Sequence, residues 1–175
     1  RSVKMQQSAW TILENKLKNA LMLAGDRVHI TLIPDIPVKN TTPYLQYATS
    51  GTSLVCELHL SQPFQDISTR CTTINTSLGW ERQRGSNIEV YSRHLLLPTY
   101  SSAYVSLAAQ SIHILRDIFQ VSEPSSLTYY AWRAPEELED GRYYSAEEVD
   151  ELDMGEDPLE VDLGIEMASR RPELL

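Results

Sequence analysis

The sequence predicts an α+β fold: a two-layer sandwich in which helices cover one face of an antiparallel sheet, in the order α-β-β-β-α-β-α-β, followed by an acidic C-terminal tail. Three observations support this fold class. Strand-like segments with a two-residue period alternate with segments whose apolar residues recur every three or four positions. The Ser-Gly-Thr turn at 50–52 joins two of the strand-like segments as a hairpin. After Ala134 the composition shifts to closely spaced carboxylates.

The first half of the chain predicts one helix and three strands. The helix covers residues 8–24, where Ser8 can cap the start and Gly25 can end it. Its apolar stripe consists of Trp10, Leu13, Leu17, Leu21 and Ala24. The strands are predicted at 27–33, 43–49 and 53–60. The third strand alternates most clearly, and its apolar face carries Leu54, Cys56, Leu58 and Leu60.

The second half predicts a helix, a strand, a second helix and a last strand. These elements are placed at 63–80, 87–97, 99–121 and 127–133. Gly79 is a natural stop for the first helix. Ile88 and Val90 are expected to anchor their strand in the core, which would leave Tyr91 and Arg93 on the opposite face. The long helix is apolar over most of its circumference, so we expect it to be buried.

Charge divides the chain near residue 135. Residues 1–135 carry 12 Lys/Arg against 9 Asp/Glu, and residues 136–175 carry 3 Arg against 15 Asp/Glu. We therefore predict a domain over 1–135 with a net charge of +3 and an acidic-aliphatic extension over 136–175 with a net charge of −12. The mildly basic domain argues against nucleic acid as the main partner, because phosphate binding needs a concentrated basic face.

Two interpretations of the tail stay open. One is a disordered acidic extension that keeps the protein soluble. The other is a segment that docks on the body or on a second protomer, because aliphatic residues are interleaved with the carboxylates between 147 and 167. Those aliphatic residues are Val149, Leu152, Met154, Leu159, Val161, Leu163, Ile165 and Met167.

The sequence also predicts the compartment. No apolar run reaches the roughly 18 residues that a membrane span needs, so no membrane association is expected. The first residues lack the apolar region of a signal peptide. With only two cysteines, Cys56 and Cys71, the pattern favours free thiols in a reducing cytoplasm, although a disulfide between them stays open.

Known catalytic and metal-binding motifs are missing, so we predict no active site, no metal and no cofactor. The sequence contains no GxSxG elbow, no HExxH or CxxC pair and no glycine-rich phosphate loop. Cys56 is expected to face the core, where cysteines are usually inert. His29 and His59 lie on separate strands and can meet on one sheet face, but zinc needs three or four ligands.

Aromatic and arginine side chains of the second half are the candidate binding residues. Tyrosine and tryptophan supply a large contact area at a small entropy cost, and arginine pairs with carboxylates, those of the tail included. The alternative is that the aromatic residues simply pack in the core. The predicted partner-binding residues are Trp80, Arg82, Arg84, Tyr91, Arg93, Tyr130 and Trp132.

The stretch 79–132 resembles a known family. A Gly-Trp pair precedes a strand that ends near Pro98, and a long helix finishing "LRDIFQV" leads through a Ser/Pro loop to "LTYYAW". This pattern is similar to the TY-Chap domain of actinobacterial proteins, within the type III secretion chaperone-like and YbjN-like folds. The resemblance implies an α+β domain, often a homodimer, that binds peptides or partner proteins without catalysis. The acidic tail lies outside the family pattern.

The leading hypothesis is therefore a non-enzymatic, chaperone-like domain that holds an extended or amphipathic segment of a client protein against a sheet face or edge. A second hypothesis is that residues 147–167 of the tail dock on the body or on a second protomer and occupy the client surface until a client displaces them. Two alternatives stay open. One is an enzymatic or small-ligand domain with a pocket lined by His29 and His59, and the other is a structural subunit of a larger assembly.

Overall fold

The computed structural model describes residues 8–35, 43–61, 71, 74, 79–85 and 88–172 of the chain. The strands are β1 (Val28–Pro34), β2 (Tyr44–Thr49), β3 (Ser53–Ser61), β4 (Trp80–Arg84), β5 (Ile88–Leu96), β6 (Leu127–Arg133) and β7 (Glu166–Met167). The described α-helices are α1 (Ala9–Leu23), α2 (Ser101–His113) and α3 (Ala146–Asp150). A π-helical turn, Ile114–Ile118, extends α2, and a short 3-10 turn, Pro124–Ser126, precedes β6.

The strands form one seven-stranded sheet in the order β4-β5-β3-β2-β1-β6-β7. Every neighbouring pair is antiparallel except β6 and β7, which are parallel. The predicted α+β class with an antiparallel sheet is therefore confirmed. Among the described residues, the observed order has three elements that the predicted one lacks: the strands β4 and β7 and the short helix α3.

Helix α1 forms where the spacing of its apolar residues predicts it. The Ser8 side chain caps its start by accepting a hydrogen bond from the Thr11 N–H at 3.1 Å. Leu13, Leu17 and Leu21 form one buried stripe, because residues three and four apart share a helix face. Within the described residues, no helix is both long and apolar enough to cross a membrane.

The core lies between the helices and one face of the sheet. Alternate residues of β2 and β3 point into it, among them Leu45, Tyr47, Leu54 and Leu58, all fully buried. These contacts need a period of two in the strands, which is the pattern that the sequence shows. Cys56 and Cys71 are both buried and form no disulfide.

A buried polar contact joins the two layers. The Tyr47 hydroxyl donates to Ser111 Oγ on α2 at 2.6 Å, and Ser111 Oγ donates to the Leu107 carbonyl at 2.8 Å. Because both side chains are fully buried, neither hydroxyl has water as an alternative partner. The pair fixes the position of α2 over the centre of the sheet.

The prediction for residues 63–80 mostly lies outside the described residues. Within that range Cys71 and Ile74 are buried, and Trp80 begins β4. We expected Gly79 and Trp80 to end a helix and a single strand to follow. This expectation is wrong for Trp80, which is the first residue of strand β4. Its strand pairs with β5 from Trp80↔Arg93 to Arg84↔Glu89. The charged sequence of β4 has little intrinsic strand preference, so cross-strand pairing decides its structure.

The expected orientation of β5 is also wrong. Tyr91 and Arg93 lie opposite Leu58 and Cys56 of β3, and directly paired residues of antiparallel strands share one face. Tyr91 therefore faces the helices, whereas Ile88 lies on the other face and is exposed. The inward face of β3 sets this orientation, and the sequence of β5 alone does not reveal it.

We predict that Tyr47→Phe lowers the free energy of unfolding by about 1 kcal/mol, because Ser111 Oγ then loses a buried hydrogen bond. Urea denaturation of the full chain measures the change. The matched control is Tyr100→Phe, since the Tyr100 side chain is 84% exposed. Equal stabilities of the Tyr47 and Tyr100 variants would contradict this account of the layer contact.

Candidate functional site

The chain turns back after β6 and runs along the outer edge of that strand. Residues 134–155 lead away from the sheet through α3, and residues 156–172, here called the strap, return to it. Glu156 and Arg133 exchange two backbone hydrogen bonds of 2.8 and 2.9 Å. The strap therefore begins beside the last residue of β6.

Backbone hydrogen bonds join the strap to β6. The Leu159 N–H donates to the Ala131 carbonyl, and the Ala168 N–H donates to the Tyr129 carbonyl, each at 2.7 Å. Between these points, the two residues of β7 pair with Thr128 and Tyr129. An unpaired strand edge exposes donors and acceptors that recruit another chain. The strap supplies partners to this edge.

Aliphatic side chains at alternate strap positions pack against the core. Leu163 is 1% exposed and is a member of the core itself. Its partly buried neighbours at the same spacing are Leu159, Val161, Ile165 and Met167. The residues between them, Glu160, Asp162, Gly164 and Glu166, are exposed. The strap bends at residues 164–165 and runs parallel to β6 only after that bend, so the alternation follows a turning path rather than one strand. Burying one leucine contributes about 1.5–3 kcal/mol.

Three cations of the body contact carboxylates of the C-terminal segment. Lys16 Nζ lies 2.9 Å from Asp162. Asp153, just before the strap, accepts hydrogen bonds from Arg27 and Arg133 at 2.8 Å each. Exposed pairs of this kind are worth only about 0.2–1 kcal/mol each. Their contribution to the total stability is small. Their main effect is to specify the positions at which carboxylates lie.

The turn that starts the strap approaches β6 closely. Gly155 has a φ of +75°, and a Cβ on it would lie 2.3 Å from the Arg133 carbonyl oxygen. Its N–H donates to Asp153 Oδ1 at 2.9 Å. This hydrogen bond, together with Arg133, holds the pKa of Asp153 below its usual value. Only glycine fits this position.

Tyr130 and Trp132, two of the predicted binding residues, lie at this edge on the face opposite the helices. The Tyr130 hydroxyl donates to Asp157 of the strap, which raises the pKa of Tyr130. The Arg171 guanidinium lies 3.7 Å from the centre of the Trp132 ring. Trp132 also stacks on His29, with ring centres 4.7 Å apart. Both aromatic side chains are buried.

A cleft of about 560 Å³ lies between α1 and the strap. Val28 and Ile30 of β1 line its floor, and the α1 residues from Lys16 to Ala24 contribute one wall. Leu159 and Val161 border it from the strap side. The floor is apolar, while Lys16 and Arg133 bring positive charge to the rim. The cleft can take an apolar side chain whose neighbours are acidic.

The other predicted residues lie at the far end of the sheet, on β4 and β5. Trp80 is buried and its indole N–H donates to Gln110, which also accepts from Arg93 at 2.8 Å. Arg82 and Arg84 pair with Glu89. Among the described residues, the partners of Arg82, Arg84 and Arg93 lie on β5 and α2 and not in the tail. The ion pairs described for the tail use Lys16, Arg27 and Arg133 of the body, three residues that the sequence analysis missed.

The small-ligand alternative places His29 and His59 in one pocket, but neither histidine lines the described cleft. His59 stacks on Tyr44 with ring centres 4.7 Å apart and contacts Glu57 at 2.7 Å, while His29 stacks on Trp132. The residues that the structure describes contain no cluster of three or more potential metal ligands. Burial raises the pKa of the Cys56 thiol, which makes it a poor nucleophile.

We predict that Asp153→Asn destabilises the full chain at neutral pH, because Arg27 and Arg133 lose a charged partner. The folded pKa of Asp153 lies below its ordinary value of 3.8. Its contribution is therefore complete above about pH 4 and is lost as the pH falls through the folded pKa.

The difference in unfolding free energy between wild type and variant should be constant from about pH 7 to about pH 5 and should shrink below about pH 4. Urea titrations at each pH measure it, with the exposed Asp140→Asn as the matched control. A difference that persists at about pH 3, or an equal effect of the control, would refute this role for the Asp153 carboxylate.

Comparison with known proteins identifies the family. The family model TY-Chap3, described as T3SS (YopN, CesT) and YbjN peptide-binding chaperone 3, matches residues 4–133. The match ends with the last residue of β6, so it leaves out α3 and the strap. No curated protein and no solved structure matches the sequence. The match confirms the resemblance found at 79–132, and since it covers well over half of the chain, the chain belongs to the TY-Chap3 family of peptide-binding chaperones.

Proposed function

We propose that this protein is a non-enzymatic, chaperone-like protein that binds an extended segment of a client, and that its strap occupies the client-binding surface until a client displaces it. The observation that carries the proposal is the way the strap contacts the body. The strap contacts the β6 edge near both of its ends, at residues 156–159 and 166–168, and places alternate aliphatic side chains on the core. The family supports the chemical class of the ligand, which is a peptide.

The client surface in this proposal is the groove formed by the β6 edge, α1 and the cleft between them. A strand edge gives affinity through backbone hydrogen bonds, and pockets for alternate side chains give specificity. Tyr130 and Trp132 belong to β6 but face away from α1 and the cleft, so their binding roles stay predictions. The binding roles of Trp80, Arg82, Arg84, Tyr91 and Arg93, at the other end of the sheet, stay predictions, as does the homodimer.

Tethering gives the strap an advantage over any client. A segment on the same chain acts at an effective concentration on the order of millimolar, so a free peptide competes against that concentration. A client therefore binds measurably only when it fits the groove better than the strap does, or when the strap is loosened. This competition is what the following experiment tests.

We predict that loosening the strap exposes the peptide-binding activity. Random 12-residue peptides displayed on phage are selected on the immobilised full chain that carries Leu163→Ala, and the enriched peptides are measured by fluorescence anisotropy. Leu163→Ala removes the most buried strap anchor, a change that costs about 2–5 kcal/mol in a core. Enriched peptides should bind this variant at least about tenfold more tightly than the wild-type chain, because the strap competes less.

Two further variants control the experiment. Met154→Ala alters a residue that is 80% exposed and should leave peptide affinity unchanged. Asp162→Lys breaks the exposed contact with Lys16 and should raise affinity by a smaller factor without touching the core. If no peptide is enriched, peptide binding is refuted. If peptides bind the wild-type and Leu163→Ala chains equally, the strap does not occupy the client surface.

A further inference from the structure

The strap leaves part of its groove unfilled, and this shapes which clients can replace it. We propose that clients of this protein are extended segments with apolar residues at alternate positions and carboxylates between them, and that they carry a larger apolar residue than the strap does where Val161 borders the cleft. The strap then has the same residue pattern as a client but fits the groove less well, because Val161 does not fill the cleft. This inference rests on the proposed function and names its ligand class.

The first step concerns spacing. The groove receives strap residues at every second position, from Leu159 through Leu163 to Met167. The side chains between them are exposed. A replacement segment that follows the path of the strap presents the same alternate positions to the same core. Apolar residues at alternate positions are therefore required of a client.

The second step concerns charge. Lys16 and Arg133 belong to the body and stay at the groove when the strap leaves. In the strap-bound state Lys16 contacts Asp162 and Arg133 lies 3.7 Å from Glu156, both carboxylates of the strap. A client without carboxylates at these places leaves these cations without their partners, whereas an acidic client restores the contacts. Like charges at the same places are repulsive, so the groove discriminates against basic segments.

The third step concerns fit. The cleft of about 560 Å³ beside Val161 and Leu159 is open in the strap-bound state. Leu163, by contrast, is 1% exposed and closely surrounded. A larger side chain in place of Val161 can enter the cleft and remove more apolar surface from water. A larger side chain in place of Leu163 has no such space and would overpack the core. A client whose side chain fills the cleft better than Val161 does can therefore compete with the tethered strap.

The experiment turns the strap into a dissociable ligand. A protease recognition sequence is inserted between Asp140 and Gly141, at an exposed turn, and cleavage leaves both fragments of the full chain in one complex. The C-terminal fragment carries a fluorophore, and its displacement is followed by anisotropy. The competitors are synthetic peptides of residues 156–168: the wild-type sequence, Val161→Phe, Leu163→Phe, Asp162→Lys and a scrambled order of the same residues.

The Val161→Phe peptide should displace the fragment at about fivefold lower concentration than the wild-type peptide, because it buries additional apolar area. The Leu163→Phe and scrambled peptides should need at least about tenfold more, and Asp162→Lys about twofold to fivefold more. Equal potency of the Val161→Phe and Leu163→Phe peptides, or of the ordered and scrambled ones, would overturn the inference.

The outcomes separate this inference from the proposed function. Peptides from the random selection are included as competitors. If they displace the fragment although they lack the alternating acidic-aliphatic pattern, the client class is wrong and peptide binding stands. If no peptide of either kind displaces it, both fall.

The uncleaved chain gives an independent reading of the same fit. Val161→Phe should raise the midpoint of thermal unfolding and Leu163→Phe should lower it. The opposite order of the two midpoints would overturn the inference even if the fragments separate on cleavage.

Discussion

The arrangement of the chain after residue 133 depends on the outer edge of β6, whose backbone groups need hydrogen-bond partners. This strand is apolar on both faces: Tyr129 and Ala131 face the helices, and Tyr130 and Trp132 face the other way. Its inner edge pairs with β1 along its full length. Its outer edge would present backbone groups next to a two-sided apolar strand, which is the arrangement most prone to recruit another chain. The strap covers this edge and donates hydrogen bonds to its carbonyl groups.

The energies of the strap contacts are unequal. The backbone hydrogen bonds to Tyr129 and Ala131 and the exposed pair with Lys16 are each worth about 1 kcal/mol or less. The burial of Leu163 and its partly buried neighbours is the larger contribution. Apolar side chains therefore hold the strap, while the polar contacts fix its register. A segment held this way is stable when tethered and replaceable by another segment with the same pattern.

Periodicity was sufficient to predict the elements whose packing is local. The three- and four-residue spacing of α1, the alternation in β3 and the limits of β6 were all predictable. Pairing over long distances was not. The charged strand β4 is stabilised by β5, and the inward face of β5 is set by β3. The same limit explains the site: Tyr130 and Trp132 could be identified as aromatic contacts, but Lys16 and Arg27 look like ordinary surface charges until the tail is placed beside them.

If the β6 edge binds clients as proposed, the same edge needs protection when no client is bound. If the edge were protected permanently, by a full strand or by a basic or proline-rich sequence, no client could pair with it. If it were left bare, copies of the protein would pair with one another. A tethered strap of partial fit satisfies both requirements, because it covers Tyr129 and Ala131 without filling the cleft beside Val161. The family match ends at residue 133, where β6 ends, so the strap lies outside the matched region. We infer that one surface has two states, one in which it binds a client and one in which the strap covers it.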